Sequence, residues 1–323
     1  SAGYLAIAAT KRRRFVVSAG VHPHSRRTLE TYSRGYGADV VEVPLRDGVT
    51  DAEALESALH GDGGADTAAI FLQTPNYLGA VERIEPLANL ARGAGALAVV
   101  SADPISLGLL KPPGECGADV VIGEGQSLGN RLDYGGPSFG FFCATSEHMR
   151  RMPGRIAGET TDLDGRRGFV LTLQTREQHI RREKATHNIC TAQALNALAG
   201  TIYLSWLGKQ GLVELASAVA RKTAHARERL AEVSGLELIH EAPAMREVAV
   251  ELAAPVEAVI AHCAARGVLA GIPLAPDYPE HPNGLLVGIS GQVTAAEVDR
   301  LAAALGDAIE TVGEASPQAG ATV

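Results

Sequence analysis

The chain has 323 residues, of which 46% are apolar and 20% charged, and a formal net charge of −8. That length and balance describe a folded protein with a sizeable core and room for two domains, and they exclude a general basic field for nucleic acid or an anionic membrane. The four cysteines, Cys116, Cys143, Cys190 and Cys263, form no C-x-x-C pair, which predicts free thiols in a reducing, cytoplasmic setting over a disulfide frame or a zinc site.

Six short apolar runs fill the first 150 residues, at 15–19, 39–44, 67–72, 96–100, 118–122 and 139–143. Runs that are apolar throughout, without alternation, are characteristic of strands covered on both faces. Helix patterns at 23–36, 51–60 and 81–93 lie between them, so this part reads as α/β with a mostly parallel sheet flanked by helices. In such sheets functional groups gather at the carboxyl ends of strands. The loops concerned are Gln73 to Gly79, Ser101 to Pro104, and the segment after Ile122.

From Arg155 to Leu173 the pattern is a hairpin, with Asp164-Gly165 as its turn. Thr175-Arg-Glu-Gln178 matches a capping box, predicting a helix from about Arg176 toward Leu207. A second helix over 212–234 leads to a strand at 247–252, a helix at 255–266, apolar segments at 267–274 and 285–289, and a helix opened by the capping box Thr294-Ala-Ala-Glu297. The expected organisation is a large domain over 1–210, a smaller C-terminal α+β domain over 211–313, and a disordered tail over 314–323. There is no repeat of 20–50 residues, and no apolar run reaches the roughly 20 residues that a membrane-spanning helix needs.

The chemistry turns on lysine. Only Lys11, Lys111, Lys184, Lys209 and Lys222 occur among the 29 basic residues. A pyridoxal phosphate enzyme needs a lysine to hold the aldehyde as an imine and an aspartate to keep the pyridine ring protonated. Asp103, just past the run at 96–100, stands where that aspartate belongs. The position that aligns with the lysine, 24 residues further on, is Ser127, which cannot form the imine. A strand-end cap is the equally weighted reading of Asp103.

Arg176, Arg181, Arg182 and Lys184 outnumber Glu177 and Glu183 in the segment after the hairpin. They read as a solvated helix face or, with Gln178, His179 and Asn188, as candidates for an interface or an anionic pocket. His22-Pro-His24 lacks a carboxylate or cysteine companion and reads as a loop motif, not a metal site. Gly123-x-Gly125-x-x-x-Gly129 is a weak match to a phosphate-cradling loop, and tight turns explain it as well.

Two long motifs, GADVVIGEGQSLGNRLDYGGPSFGFF from Gly117 and GRRGFVLTLQTREQHIRREKATHNICTAQAL from Gly165, together with PLAPDYPE from Pro273, resemble the P-protein of the glycine cleavage system, in the form of the non-lysine subunit (subunit 1, or alpha) of the two-subunit glycine decarboxylase. The resemblance implies a fold-type-I pyridoxal-phosphate-transferase-like architecture. It also implies a heteromer in which a lysine-bearing subunit 2 (beta) holds the pyridoxal phosphate. The implied reaction decarboxylates glycine and passes its aminomethyl group to the lipoyl arm of H-protein, with the T- and L-proteins as functional companions. On this view Asn76, Asp103, Gln126 and Ser127 are the remnant of a duplicated site, and no residue of this chain is itself catalytic. Ser1 falls well inside the family pattern, and His187, Arg131 and Gly291 depart from it. The alternative is a structural or regulatory pseudoenzyme that partners a pyridoxal phosphate enzyme. A self-sufficient aminotransferase-like enzyme is disfavoured by Ser127.

Overall fold

The computed structural model describes residues 1–136, 138–173, 178–185 and 193–315. Its larger sheet contains β1 (Arg14–Ser18), β2 (Asp39–Val43), β5 (Thr67–Thr74), β6 (Leu97–Ala102), β7 (Val120–Glu124) and β8 (Gly140–Ala144), in the order β2-β1-β5-β6-β7-β8. All neighbours are parallel except β8, which runs antiparallel to β7. A small hairpin, β3 (Leu45–Arg46) with β4 (Val49–Thr50), follows β2.

Both faces of this sheet are covered, which is why its central strands are apolar without alternation. On one face α3 (Ala52–His60) and α4 (Ile84–Gly93) press Leu55, Leu59, Leu87 and Ala91 against Val16, Ile70, Leu72 and Val100. On the other, α1 (Ala2–Thr10) sets Leu5 and Ala6 against Phe15, Val17 and Val99, while α2 (Pro23–Tyr36) adds Leu29. Pro23 at the first position and left-handed Gly37 just past the last turn account for the limits of α2.

Beyond the larger sheet come the hairpin β9 (Ile156–Thr161) and β10 (Arg167–Thr172), then α5 (Ala194–Ala231), whose helical run is broken at Gly208. The second sheet is antiparallel, in the order β11-β12-β14-β13, built from β11 (Leu236–Leu238), β12 (Glu247–Leu252), β13 (Ile272–Pro273) and β14 (Gly284–Gly288). Its core joins Val248, Val250 and Leu285 to Ala226 and Leu230 of α5, Val259 of α6 (Val256–Ala265) and Leu305 of α7 (Ala295–Ala315).

Three expectations differ from the structure. The helix expected from Arg176 does not form over the described residues: Gln178 to Ile180 make a turn, Arg182–Lys184 a single 3-10 turn, and regular helix starts only at Ala194. The described side chains from Gln178 to Glu183 are exposed, so helix formation there would bury no apolar face, and packing of such a face supplies most helical stability. The proposed tail is helical at residues 314 and 315, and residues 316–323 lie outside the described set. In addition, α4 begins at Ile84, three residues later than the pattern at 81–93, because Val81 and Glu82 are engaged elsewhere.

The two sheets meet through backbone. Met245 N–H donates to Gly79 C=O at 3.0 Å, Val81 N–H donates to Pro243 C=O at 2.8 Å, and Ala80 bridges Ala244. Gly79, at φ +87°, lies so close to the Glu247 carbonyl that a Cβ would overlap it. Substituting Gly79→Ala therefore combines a left-handed backbone with a collision and is expected to cost more than about 2 kcal/mol. Gly154→Ala, at φ +82° with open space around it, is expected to cost about 1 kcal/mol. Denaturant midpoints of the two variants compare these directly.

Candidate functional site

The carboxyl ends of β5, β6 and β7 face the start of β12 and the β13–β14 region across a cavity of about 690 Å³. Asn76, Asp103, Gln126 and Ser127, scattered in sequence, all line it. Arg246, Glu247, Glu124, His22, His24 and Tyr77 line it too.

Asn76 sits just past β5 and is 1% exposed. Its Nδ2 donates to Gly48 C=O at 2.7 Å and to Glu82 Oε1 at 3.0 Å, and its Oδ1 accepts the N–H groups of Leu78 and Ala80. Every hydrogen-bonding capacity of the carboxamide is thus met by the protein itself. Glu82 also accepts the Thr50 N–H at 2.9 Å and the Thr50 hydroxyl at 2.9 Å, and Ser18 bonds that hydroxyl at 2.7 Å. Burial pushes the Glu82 carboxyl above its ordinary range, although the bonds from Asn76 and Thr50 oppose the shift.

Asp103 does two things. Its Oδ2 accepts the Ser106 N–H at 2.9 Å, which makes it the cap of the turn that follows β6, and its Oδ1 lies 3.5 Å from the Arg246 guanidinium. Burial raises its carboxyl above the usual range, with Arg246 and the backbone N–H groups pulling the other way. Glu247 opens β12 beside these charges. Burial, with the negative charge of Asp103 adding to it against the pull of Arg246, pushes its carboxyl up to about 7.

Gln126 donates from Nε2 to Asn130 C=O at 2.6 Å, and its N–H bonds Glu124 Oε1 at 3.0 Å, so it braces the loop after β7. The glycines of that loop serve packing. A Cβ at Gly123 or Gly125 would overlap the rings of Phe141 and Phe139, and one at Gly129 would press on Tyr203. His22 caps α2, its Nδ1 accepting the His24 N–H at 3.1 Å, and its ring stands 4.9 Å from that of Tyr77.

None of the lysines with described side chains reaches this cavity. Lys11 donates to Ala8 C=O, Lys111 pairs with Glu85 at 3.4 Å, Lys209 is an exposed residue of α5, and Lys222 bonds Gly291 C=O. The described residues of the cavity therefore do not fit a pyridoxal phosphate held covalently by this chain. Of the interface or pocket candidates, Gln178, His179, Arg181 and Arg182 are exposed and outside the cavity lining. Arg176 and Asn188 lie outside the described residues, as does the side chain of Lys184. Sequence reasoning missed Glu82, Arg246 and Glu247. A carboxylate at the first position of a strand with the apolar run Val248 to Val250 was the available signal for Glu247, but nothing local shows that this strand opens onto a distant loop.

Comparison with known proteins adds a further finding. The family model of the glycine cleavage system P-protein matches residues 1–305. A probable glycine dehydrogenase (decarboxylating) subunit 1 from Geotalea daltonii is 44% identical over 304 residues, 94% of this chain and 68% of that protein. Its counterpart from Moorella thermoacetica is 46% identical over the same shares. Among solved structures, an inhibitor-bound glycine decarboxylase (P-protein) of the glycine cleavage system superposes with a TM-score of 0.88 at 40% identity, covering 94% of this chain and 68% of that one. A cysteine desulfurase from Escherichia coli superposes at 0.68 with 18% identity, covering 96% of this chain and 77% of that one, a likeness of fold alone. The architecture is thus the fold-type-I one expected from the sequence.

The raised carboxyl of Glu247 has a thermodynamic signature. The folded state holds this proton more tightly than the unfolded chain, so the contribution of Glu247 to stability is full below the ordinary glutamate range and is lost as pH rises through about 7. Glu247→Gln is expected to flatten this part of the stability profile and to be more stable than the parent at pH 8, by up to roughly 3 kcal/mol. Thermal melts of both proteins from pH 5 to pH 8 measure the difference.

Proposed function

Because the chain belongs to the glycine cleavage system P-protein family, we propose that it is the non-lysine subunit of a two-subunit glycine dehydrogenase (decarboxylating). Its partner is a lysine-bearing subunit 2, which holds the pyridoxal phosphate. Together they decarboxylate glycine and pass the aminomethyl group to the lipoyl arm of H-protein, in functional sequence with the T- and L-proteins and in the cytoplasm.

The observation that carries this reading is the cavity that retains Asp103 yet has serine at position 127 and, among the described side chains, no lysine. On this reading the group that captures the aldehyde comes from another chain. The subunit 1 designation of the relatives supports a second subunit as its source.

The surface supports a partner as well. Leu195, Leu198, Ile202 and Trp206 follow one another at helical spacing along the first half of α5, and they are 78%, 54%, 61% and 80% exposed. A stripe of large apolar side chains left in water supports an interaction surface here. Burying it, with the adjoining surface, in an obligate interface of more than about 2,000 Å² would make the stability of this chain depend on its companion.

Mixing the purified chain with the lysine-bearing subunit, pyridoxal phosphate, glycine and lipoylated H-protein should give glycine-dependent release of carbon dioxide that neither subunit shows alone. Ile202→Asp with Trp206→Asp should abolish co-elution of the two subunits and lower this activity at least tenfold. Full activity of the partner on its own would contradict the proposal and favour a regulatory pseudoenzyme.

A further inference from the structure

The hairpin β9–β10 stands apart from both larger sheets. Among the described residues its strands form a sheet of two, so both outer edges are open, and most of its side chains are exposed, Phe169 and Val170 included. A two-stranded hairpin is marginal on its own and gains stability from a third strand or a packed face. Its charge is unusual as well. The stretch from Arg150 to Lys184, which contains the hairpin, carries nine basic and five acidic residues in a chain of net charge −8. Arg166 and Arg167, beside the turn, make only exposed pairs, with Asp164 at 3.4 Å and Glu159 at 2.9 Å. Arg150, Arg155, Arg181 and Arg182 are exposed and have no ion pair among the described residues.

The opposite sign gathers on α3. Residues 46–66 carry six acids and a single arginine. Arg46 holds Asp51 at 2.8 Å and Glu53 at 3.0 Å, while Glu56, Asp62 and Asp66 are exposed and have no ion pair among the described residues. Through Leu55 and Leu59, α3 packs toward Val16 of β1 and Val43 of β2, at one edge of the larger sheet. The hairpin follows β8, the other edge strand, five strand spacings or roughly 24 Å away. No described ion pair joins the basic hairpin to the acidic helix.

We propose that the hairpin is a docking arm for a second copy of this chain, its basic turn seated on the acidic face of α3 in that copy. Both halves of the complementary surface are present on the chain itself, so a copy supplies what each half lacks. A two-fold pair satisfies both copies at once, because the arm of each reaches α3 of the other. Exposed ion pairs contribute little singly, so the contact draws on several charges together and on the apolar surface of the arm. Phe169 shares a face with Arg167, whose guanidinium lies 5.1 Å from its ring centroid, and is covered in the same contact. The opposed potentials set the register and speed the encounter. This pairing does not depend on the assignment to glycine decarboxylation.

Sedimentation velocity of the full chain at micromolar concentration tests the proposal. Expected is a dimer at about 50 mM salt whose dissociation constant rises at least tenfold at about 0.5 M. Arg166→Glu with Arg167→Glu in one protein, and Glu56→Lys with Asp62→Lys in another, should each give monomers, because each protein then sets like charges against one another. Mixed in equal amounts the two variants should form a heterodimer, since every arm again faces the opposite sign. A parent that stays monomeric at low salt, a dimer that survives either pair of substitutions, or variants that remain monomers on mixing would each overturn it. A monomeric parent whose arm variant loses co-elution with the lysine-bearing subunit would also overturn it, and would assign the arm to that subunit. Should a variant fail to fold, the salt dependence of the parent decides, together with hydrogen exchange of the β9 and β10 amides, which should be slower in the dimer than after dilution to monomer.

Discussion

The carboxamide of Asn76, saturated by four protein partners within the fold, is the constraint on which the rest of the site depends. It fixes the turn after β5, anchors Glu82, and through Gly48 and Thr50 holds the small β3–β4 hairpin against that turn. Because the turn is fixed, Gly79, Ala80 and Val81 can present backbone groups to residues 243–245, and the second sheet is locked at the carboxyl edge of the first. That junction sets Arg246 and Glu247 opposite Asp103. A buried polar knot in which all members are satisfied specifies one arrangement, whereas a partly satisfied one would destabilise it.

Charge at the cavity follows from this junction. Asp103 is held by a backbone N–H and a guanidinium, and in that role it organises the turn after β6. The loop after β7 is closed on itself by Gln126 and packed by Phe139, Phe141 and Tyr203 against its glycines. A site that keeps the acid and the loop while having serine at 127 supports the proposal of a divided enzyme, in which a companion subunit supplies the covalent step. The exposed stripe on α5 is a separate feature, suited to a protein surface.

Much of this was legible in the residues. The central strands were readable because coverage on both faces removes polar residues from them, and α2 because Pro23 and Gly37 mark its ends. The convergence of Asn76, Asp103, Gln126 and Ser127 followed from the rule that strand ends share one edge. What failed was local signal without tertiary support. The capping box at Thr175 to Gln178 suggested a helix, but the described residues that follow bury no apolar face. The helix α1 was passed over because its alanine-rich run has little amphipathic contrast. Gly123, Gly125 and Gly129 suggested a phosphate loop only because the aromatic rings that require them lie elsewhere in the chain. Glu247 could not be placed at the cavity without knowing that β12 starts against the Gly79 turn.

The central claim is that the amine capturing the aldehyde lies outside this polypeptide. Borohydride reduction in the presence of pyridoxal phosphate, followed by peptide mass mapping, tests it most directly. The account predicts stoichiometric labelling of one lysine of the companion subunit in the assembled enzyme and none on the isolated chain. Stoichiometric labelling of Lys11, Lys111, Lys184, Lys209 or Lys222 in the isolated chain would contradict it.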